Sequence, residues 1–219
     1  MAERTLAEIP LSLVEYRATF QEPIFVAFER PTLIADALYR SFREWNITFE
    51  NISWKALPIN ANDVQIVCDL FNKRMTFTVM LGVVSLLVTN PNWSEVGLVG
   101  AVVRAGMGAV QASTSGVTKE QGVILAMHLR PQGKSIQDVT TRFRAISSGP
   151  GIDAGLRGYG FSVYGHDISW LVDLSAIYPE ALFVRTSRVF GSSVSFEDIA
   201  VSLKKDEDEI LEILQLRVD

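Results

Sequence analysis

The residues most suggestive of chemistry are Gly133-Lys134-Ser135, which follow a predicted strand and open a predicted helix. A phosphate-binding loop uses such a sequence, because glycine backbone wraps the phosphates and the lysine reaches them. The full motif also needs a glycine at position 128, which His128 occupies inside the strand, and the loop is too short. We therefore interpret Ser135 as the N-cap of a helix, and no nucleotide site is predicted.

A second candidate is the glycine-rich segment 149–160, which also carries Arg157. Glycines let backbone amides line an anion. However, the spacing is not that of a dinucleotide loop, and a strand follows the segment, so a plain connection between helix and sheet is favoured. If any loop binds a ligand, we expect it to be this one. The candidate binding residues in and after it are Gly151, Arg157, Tyr159, His166, Trp170 and Arg185.

Nucleophiles and metal ligands are sparse. Cys68 is the single cysteine, and His128 and His166 are the two histidines. Their spacing fits no common transition-metal motif. A Cys68–His128 nucleophile pair is weakly supported, because a cysteine in an apolar strand is usually an inert hydrophobe. The sequence therefore predicts no catalytic residue, no metal and no cofactor, and it leans against an enzyme.

The elements that position these residues follow from periodicity. In the first half, the pattern predicts strands near 11–20 and 24–28 and a helix at 32–45, followed by four strands with period two between Ile47 and Val88. A glycine-bearing helix is predicted from about Trp93 to Gln111. Its glycines indicate close packing on its own sheet or, alternatively, a helix contact across a subunit interface.

The second half repeats this order. A strand is predicted at 122–129, a helix at 135–146, strands at 161–164, 168–174 and 181–190, and a final helix that opens at Ser195. Short sequences also recur about a hundred residues apart: Phe25 to Pro31 matches Ile124 to Pro131. A period this long indicates a domain-scale duplication rather than a solenoid.

The fold class predicted is therefore α+β, with two duplicated β-α-β(3-4)-α modules at 1–118 and 119–219. A curved antiparallel sheet with helices on one face is the economical packing. The element order is similar to that of the duplicated saddle of TATA-box-binding proteins, and also to helix-grip folds closed by a long helix. This similarity lies in element order, and fold alone does not set function.

Composition limits the partners. Net charge is −5, and residues 1–118 carry nine Lys/Arg against eleven Asp/Glu, while residues 119–219 carry eleven against fourteen. Neither half is basic, which argues against general nucleic-acid binding. The longest strongly apolar run is ten residues and the first eight residues carry no signal-peptide pattern, so we expect no membrane span and a cytoplasmic location. A single cysteine suits that compartment.

Three functions remain. The preferred hypothesis is a non-enzymatic protein-binding, adaptor or assembly subunit that uses a sheet edge or face, or the glycine-rich helix, to bind a protein partner or to form a homo-oligomer. The mean hydropathy of +0.21 is high for a soluble monomer and favours an apolar contact surface. The alternative is a small-molecule pocket of helix-grip type, and the third is a nucleic-acid-binding saddle.

Overall fold

The computed structural model describes residues 4–54, 63–143 and 158–218. The chain is α+β, with a large antiparallel open sheet and packed helices. It divides into two compact units. Unit 1 contains Met1–Ser12, Ile124–Arg188 and Val201–Asp219, and unit 2 contains Leu13–Val123 and Val189–Ala200.

The described residues form ten strands and five α-helices. The strands are β1 (Thr5–Phe20), β2 (Ile52–Trp54), β3 (Ile66–Leu70), β4 (Met75–Val79), β5 (Val83–Thr89), β6 (Thr118–Pro131), β7 (Phe161–Tyr164), β8 (Ile168–Leu174), β9 (Leu182–Gly191) and β10 (Leu216–Arg217). The helices are α1 (Val26–Glu29), α2 (Pro31–Phe42), α3 (Val96–Thr114), α4 (Ile136–Thr140) and α5 (Phe196–Leu214), with short 3-10 turns at Arg43–Trp45, Phe49–Asn51, Trp93–Glu95 and Thr141–Phe143.

Unit 2 is built on an antiparallel meander in the order β2-β3-β4-β5, with β1 beside β5. Cys68 lies opposite Phe77, Phe77 opposite Leu86, and Leu86 opposite Tyr16. These four side chains form one row on the inner face, and each is at most 2% exposed. The period-two pattern of the sequence therefore becomes one fully buried face, as alternation in a strand requires.

Helices α2 and α3 cover that inner face. The Phe42 ring of α2 meets the Phe77 ring edge-on, with centroids 5.4 Å apart. A Cβ added at Gly106 of α3 would lie 2.4 Å from the Phe77 ring and 2.9 Å from Phe42. At this position the glycine permits close packing within the unit, while a Cβ at Gly97 or Gly108 would meet nothing within 4 Å.

Unit 1 contains a second antiparallel meander, β7-β8-β9, with β6 beside β9. Val163 of β7 lies opposite Trp170 of β8, and Trp170 lies opposite Thr186 of β9. Within the same unit β10 pairs in parallel with the start of β1. The strands predicted at 161–164 and 168–174 are confirmed at those bounds.

The strand predicted at 24–28 is wrong, because residues 26–29 form α1. The Ile24 N–H donates to the Leu81 carbonyl at 2.6 Å, after which the chain turns into one helical turn that ends where the Arg30 N–H donates to the Val26 carbonyl. Pro31 then occupies the first turn of α2, where a missing N–H is tolerated. The matching sequence at 124–131 lies in β6, so these two similar sequences have different structures.

One helix, Trp93–Thr114, is long and apolar enough to cross a membrane by length and composition alone, but 44% of its most apolar stretch is buried inside the protein. Its buried side chains, among them Val102 and Val110, form part of the core of unit 2. Core helices of soluble proteins meet the same length and composition test, so this is weak evidence for a membrane span. The structure is compatible with the soluble protein that the sequence predicts.

Candidate protein-interaction edge

The β7–β8 hairpin turns tightly at Gly165. The Gly165 N–H donates to the Ile168 carbonyl at 2.7 Å, with His166 and Asp167 between them. Because hydrogen-bonded and non-hydrogen-bonded pairs alternate along an antiparallel ladder, Val163 also directs its N–H and C=O toward β8. Ser162 and Tyr164 therefore direct theirs away from β8.

Strand β7 ends the strand order at its side of the sheet among the described residues. We call the outward backbone groups of Ser162 and Tyr164, with the side chains of β7, the β7 edge. Tyr164 is 81% exposed and Val163 is 47% exposed. Residues 158–165 contain no Asp, Glu, Lys, Arg or His. Natural edge strands are usually protected by charge, proline or a bulge, and β7 has neither a charged residue nor a proline.

The start of β7 is fixed by the segment that carries α4. The Phe161 ring packs on Phe143, with centroids 4.7 Å apart. The Tyr159 N–H donates to Thr140 Oγ1 at 3.0 Å, and Thr140 is fully buried. The Thr140 hydroxyl in turn donates to the Ile136 carbonyl at 2.7 Å. These contacts hold the entry to β7 while Ser162, Val163 and Tyr164 stay exposed.

The inner face of the same meander holds two buried polar atoms without a hydrogen-bond partner. They are Nε1 of Trp170 and Oγ1 of Thr186, which belong to residues directly opposite each other on β8 and β9. Opposite residues have their Cβ atoms about 5 Å apart. An unpartnered buried donor or hydroxyl costs about 1–3 kcal/mol. These two polar atoms are therefore buried without compensation.

An ion pair lies two residues farther along β9. Arg188 donates from Nε to Asp206 Oδ2 at 2.9 Å and from Nη2 to Asp206 Oδ1 at 2.5 Å. Asp206 lies on α5 and is fully buried. The hydrogen bonds that Arg188 donates to Asp206 raise the pKa of Arg188 above its ordinary value, although burial opposes this. A bidentate pair of this kind fixes the helix on the strand.

Four of the six residues predicted as a binding site are described by the structure, and these four do not form one cluster. Gly151 and Arg157 lie outside the described residues. Tyr159 contributes its backbone N–H to the Thr140 contact, and His166 is an exposed turn residue whose Nε2 lies 3.6 Å from Asp167. Trp170 lies on the inner face opposite Thr186, whereas Arg185 lies opposite Leu171 on the other face, since strand side chains alternate.

The remaining chemical candidates have structural roles. His128 is buried, its Nδ1 lies 2.9 Å from Ser175 Oγ, and burial lowers its pKa. Burial, with a smaller effect of Asp69, raises the pKa of the Cys68 thiol to about 12, so the thiol stays protonated and is a poor nucleophile. Ser135 Oγ accepts from the Asp138 N–H at 3.1 Å, which confirms the N-cap of α4.

Sequence reasoning missed Thr186 and Asp206. Asp206 could have been found, because it is a charged residue on the stripe of α5 where the 3.6-residue period predicts a buried apolar residue. The position of β7 at the end of the strand order depends on contacts distant in sequence, so local sequence patterns do not predict it. Among residues 4–54, 63–143 and 158–218, no group of three His, Cys, Asp or Glu is arranged to hold a metal ion.

Comparison with known proteins does not assign a family. No protein-family model matches the chain, and a search of curated proteins finds no match.

Proposed function

We propose that this chain is a protein-binding subunit, an adaptor or assembly component, that uses the β7 edge as its contact surface. The observation that carries the proposal is an exposed edge strand that lacks charge and proline. Such a strand offers outward N–H and C=O groups to an extended segment of another chain, which adds as a further strand. The exposed Val163 and Tyr164 side chains supply apolar area on both faces.

The rigidity of the site supports the same proposal. The Phe161–Phe143 contact and the Tyr159–Thr140 hydrogen bond hold the strand before any partner arrives. A preorganised strand loses little conformational entropy on binding. In a mobile loop the same residues would lose more.

The test is capture of partners from a lysate of the source cells on immobilised protein. Val163→Lys places a charge on the edge, as natural edge strands do. The matched control is Val201→Lys, because Val201 is 71% exposed on α5, away from the edge. We expect the edge variant to lose about tenfold or more of the captured protein, and the control to keep it. Equal capture by both variants, with both folded by circular dichroism, would contradict the proposal.

A second candidate function, a small-molecule pocket of helix-grip type, is favoured by the unpartnered Trp170 and Thr186 atoms. An indole N–H and a hydroxyl on two directly opposite residues suit a ligand with an acceptor group. Anilinonaphthalene sulfonate, an apolar anion, is a suitable probe. Its fluorescence should fall in Trp170→Phe and not in Trp45→Phe; equal dye fluorescence in both variants would contradict this candidate.

We also propose that the two halves of the chain are an internal duplication with the saddle-like or helix-grip-like order. Each half runs from a long strand through a helix and a meander to a 19-residue helix, α3 or α5. In each, the last meander strand lies beside the opening strand, β5 beside β1 and β9 beside β6. Superposition of residues 5–114 on 118–214 in an experimental structure, with β1 placed on β6, tests this. Non-equivalent positions of α2 and α4 would refute it.

A further inference from the structure

We infer that the occupant of the β7 edge is the β7 edge of a second copy of this chain, paired antiparallel about a two-fold axis. This inference rests on the proposed function and names the partner. A two-fold axis through the middle of an antiparallel pair places the same strand on both sides, so each residue must suit its counterpart.

The charge of the edge favours a copy over a charged partner. Two copies that each carry a net charge of −5 repel at long range, and like charges within the contacting strip would add to that repulsion. The strip from 158 to 165 contains no charged residue, so its self-pairing brings no like charges together. An acidic or basic peptide, in contrast, would find no opposite charge along β7.

The backbone alternation selects a register. Outward N–H and C=O groups at Ser162 allow a hydrogen-bonded pair between Ser162 and Ser162 of the second copy. In this register Phe161 lies opposite Val163 of the other copy. An aromatic residue opposite a β-branched residue is a favourable cross-strand pair, worth about 0.2–1 kcal/mol.

The same register places Tyr164 opposite Gly160 of the second copy. Tyr164 is 81% exposed in the single chain, and a large aromatic side chain beside a strand glycine covers backbone that would otherwise contact water. The interface would therefore use the most exposed aromatic residue of the hairpin. A strand of four residues buries little area, so a weak, concentration-dependent dimer is expected.

Cysteine cross-linking tests the register on the purified full chain. The native Cys68 is fully buried, which leaves little background. Opposite residues in a hydrogen-bonded antiparallel pair have Cα atoms about 5.5 Å apart, within the range of a disulfide. Under mild oxidation Ser162→Cys should form a covalent dimer, at least about tenfold more than Val201→Cys on exposed α5. Equal cross-linking of the two variants would overturn the register.

Sedimentation of the uncross-linked protein over a concentration series tests the dimer itself. We expect wild-type protein to shift toward dimer as concentration rises. Ser162→Pro, which removes one outward N–H and no ladder bond to β8, should stay monomeric, and so should Val163→Lys. A wild-type chain that stays monomeric at every concentration would overturn the inference. If the wild-type chain is monomeric but Val163→Lys still captures less protein from lysate, the proposed function stands with a different partner. If the wild-type chain is monomeric and Val163→Lys captures as much as wild type, the proposed function and this inference both fail.

Discussion

The meanders β3-β4-β5 and β7-β8-β9 are both antiparallel, but they differ in how many of their side chains are buried. In β3-β4-β5 of unit 2, the inner-face side chains are all at most 1% exposed. In β7-β8-β9 of unit 1, β9 has three buried residues, β8 has one, Val172, and the edge strand β7 has none. The exposed side chains of β7, those of Ser162, Val163 and Tyr164, remain available for binding. The difference therefore separates a structural core from a candidate contact surface.

The largest expected effect is on the covered meander. Phe77→Ala removes a ring that contacts Phe42 and Gly106, and should lower the free energy of unfolding by about 3–5 kcal/mol. Phe161→Ala removes a half-buried ring in β7 and should cost about 1–2 kcal/mol, because less apolar area is lost. Urea unfolding of both variants measures the difference. Similar losses of unfolding free energy in the two variants would mean that β7 is as well packed as β4 and would contradict the difference in burial between the two meanders.

The second-largest effect should be a loss of unfolding free energy in unit 2 at alkaline pH. Burial raises the pKa of both Cys68 and Tyr16 to about 12, so each stays neutral in the fold while the unfolded chain ionises. The contribution of these two groups to the free energy of unfolding is fully present below about pH 9 and is lost as the pH rises toward 12. At about 1.4 kcal/mol per pH unit, Cys68 alone should cost about 3 kcal/mol by about pH 11.

Unfolding free energies at neutral and alkaline pH check this expectation. Cys68→Ala should show a flatter decline above about pH 9, since the first of the two ionisations is gone. An unchanged slope in that variant would show that the thiol ionises in the native state and that the inner face is wetter than the structure indicates.

Substitution of two glycines of α3, Gly106 and Gly108, tests how closely this helix packs on the β3-β4-β5 meander. Gly106→Ala places a Cβ at 2.4 Å from the Phe77 ring and should destabilise unit 2 by about 1–3 kcal/mol. Gly108→Ala meets nothing within 4 Å and should stabilise α3 by about 0.5–1 kcal/mol. Thermal unfolding distinguishes them. The same sign for both substitutions would mean that α3 does not sit against Phe77 as described.

The smallest effect concerns two fully buried threonines of unit 1. Thr140→Val loses its bonds to the Ile136 carbonyl and the Tyr159 N–H, and should cost about 1–2 kcal/mol. Thr186→Val removes a hydroxyl that has no partner, and should be neutral or stabilising by up to about 1 kcal/mol. If Thr186→Val is as harmful as Thr140→Val, that hydroxyl has a partner in solution, which would favour the pocket.

Local patterns in the sequence predict much of this fold. Period two located β7 and β8 at their observed bounds, and the Ser135 to Asp138 spacing located the N-cap of α4. The pattern failed at residues 24–28, since a short apolar run suits a strand or a helical turn equally well until its neighbours are known.

The site was harder to predict than the fold. Trp170 was a candidate for its residue type, but its importance lies in the opposite Thr186, and that pairing depends on register. Arg185 and Trp170 were both predicted as binding residues, but the structure places them on opposite faces of the sheet. The β7 edge follows from strand order, which is set by contacts between residues far apart in the chain.

Amide hydrogen exchange in β7, followed by NMR at low and high protein concentration, tests the central claim most directly. In the dilute protein the Val163 amide should exchange slowly, and the Ser162 and Tyr164 amides should exchange fast, because they face outward. At high concentration the Ser162 and Tyr164 amides should become protected while Val163 changes little. Slow exchange of Ser162 and Tyr164 in the dilute protein would mean that the edge is already covered, and would contradict the account.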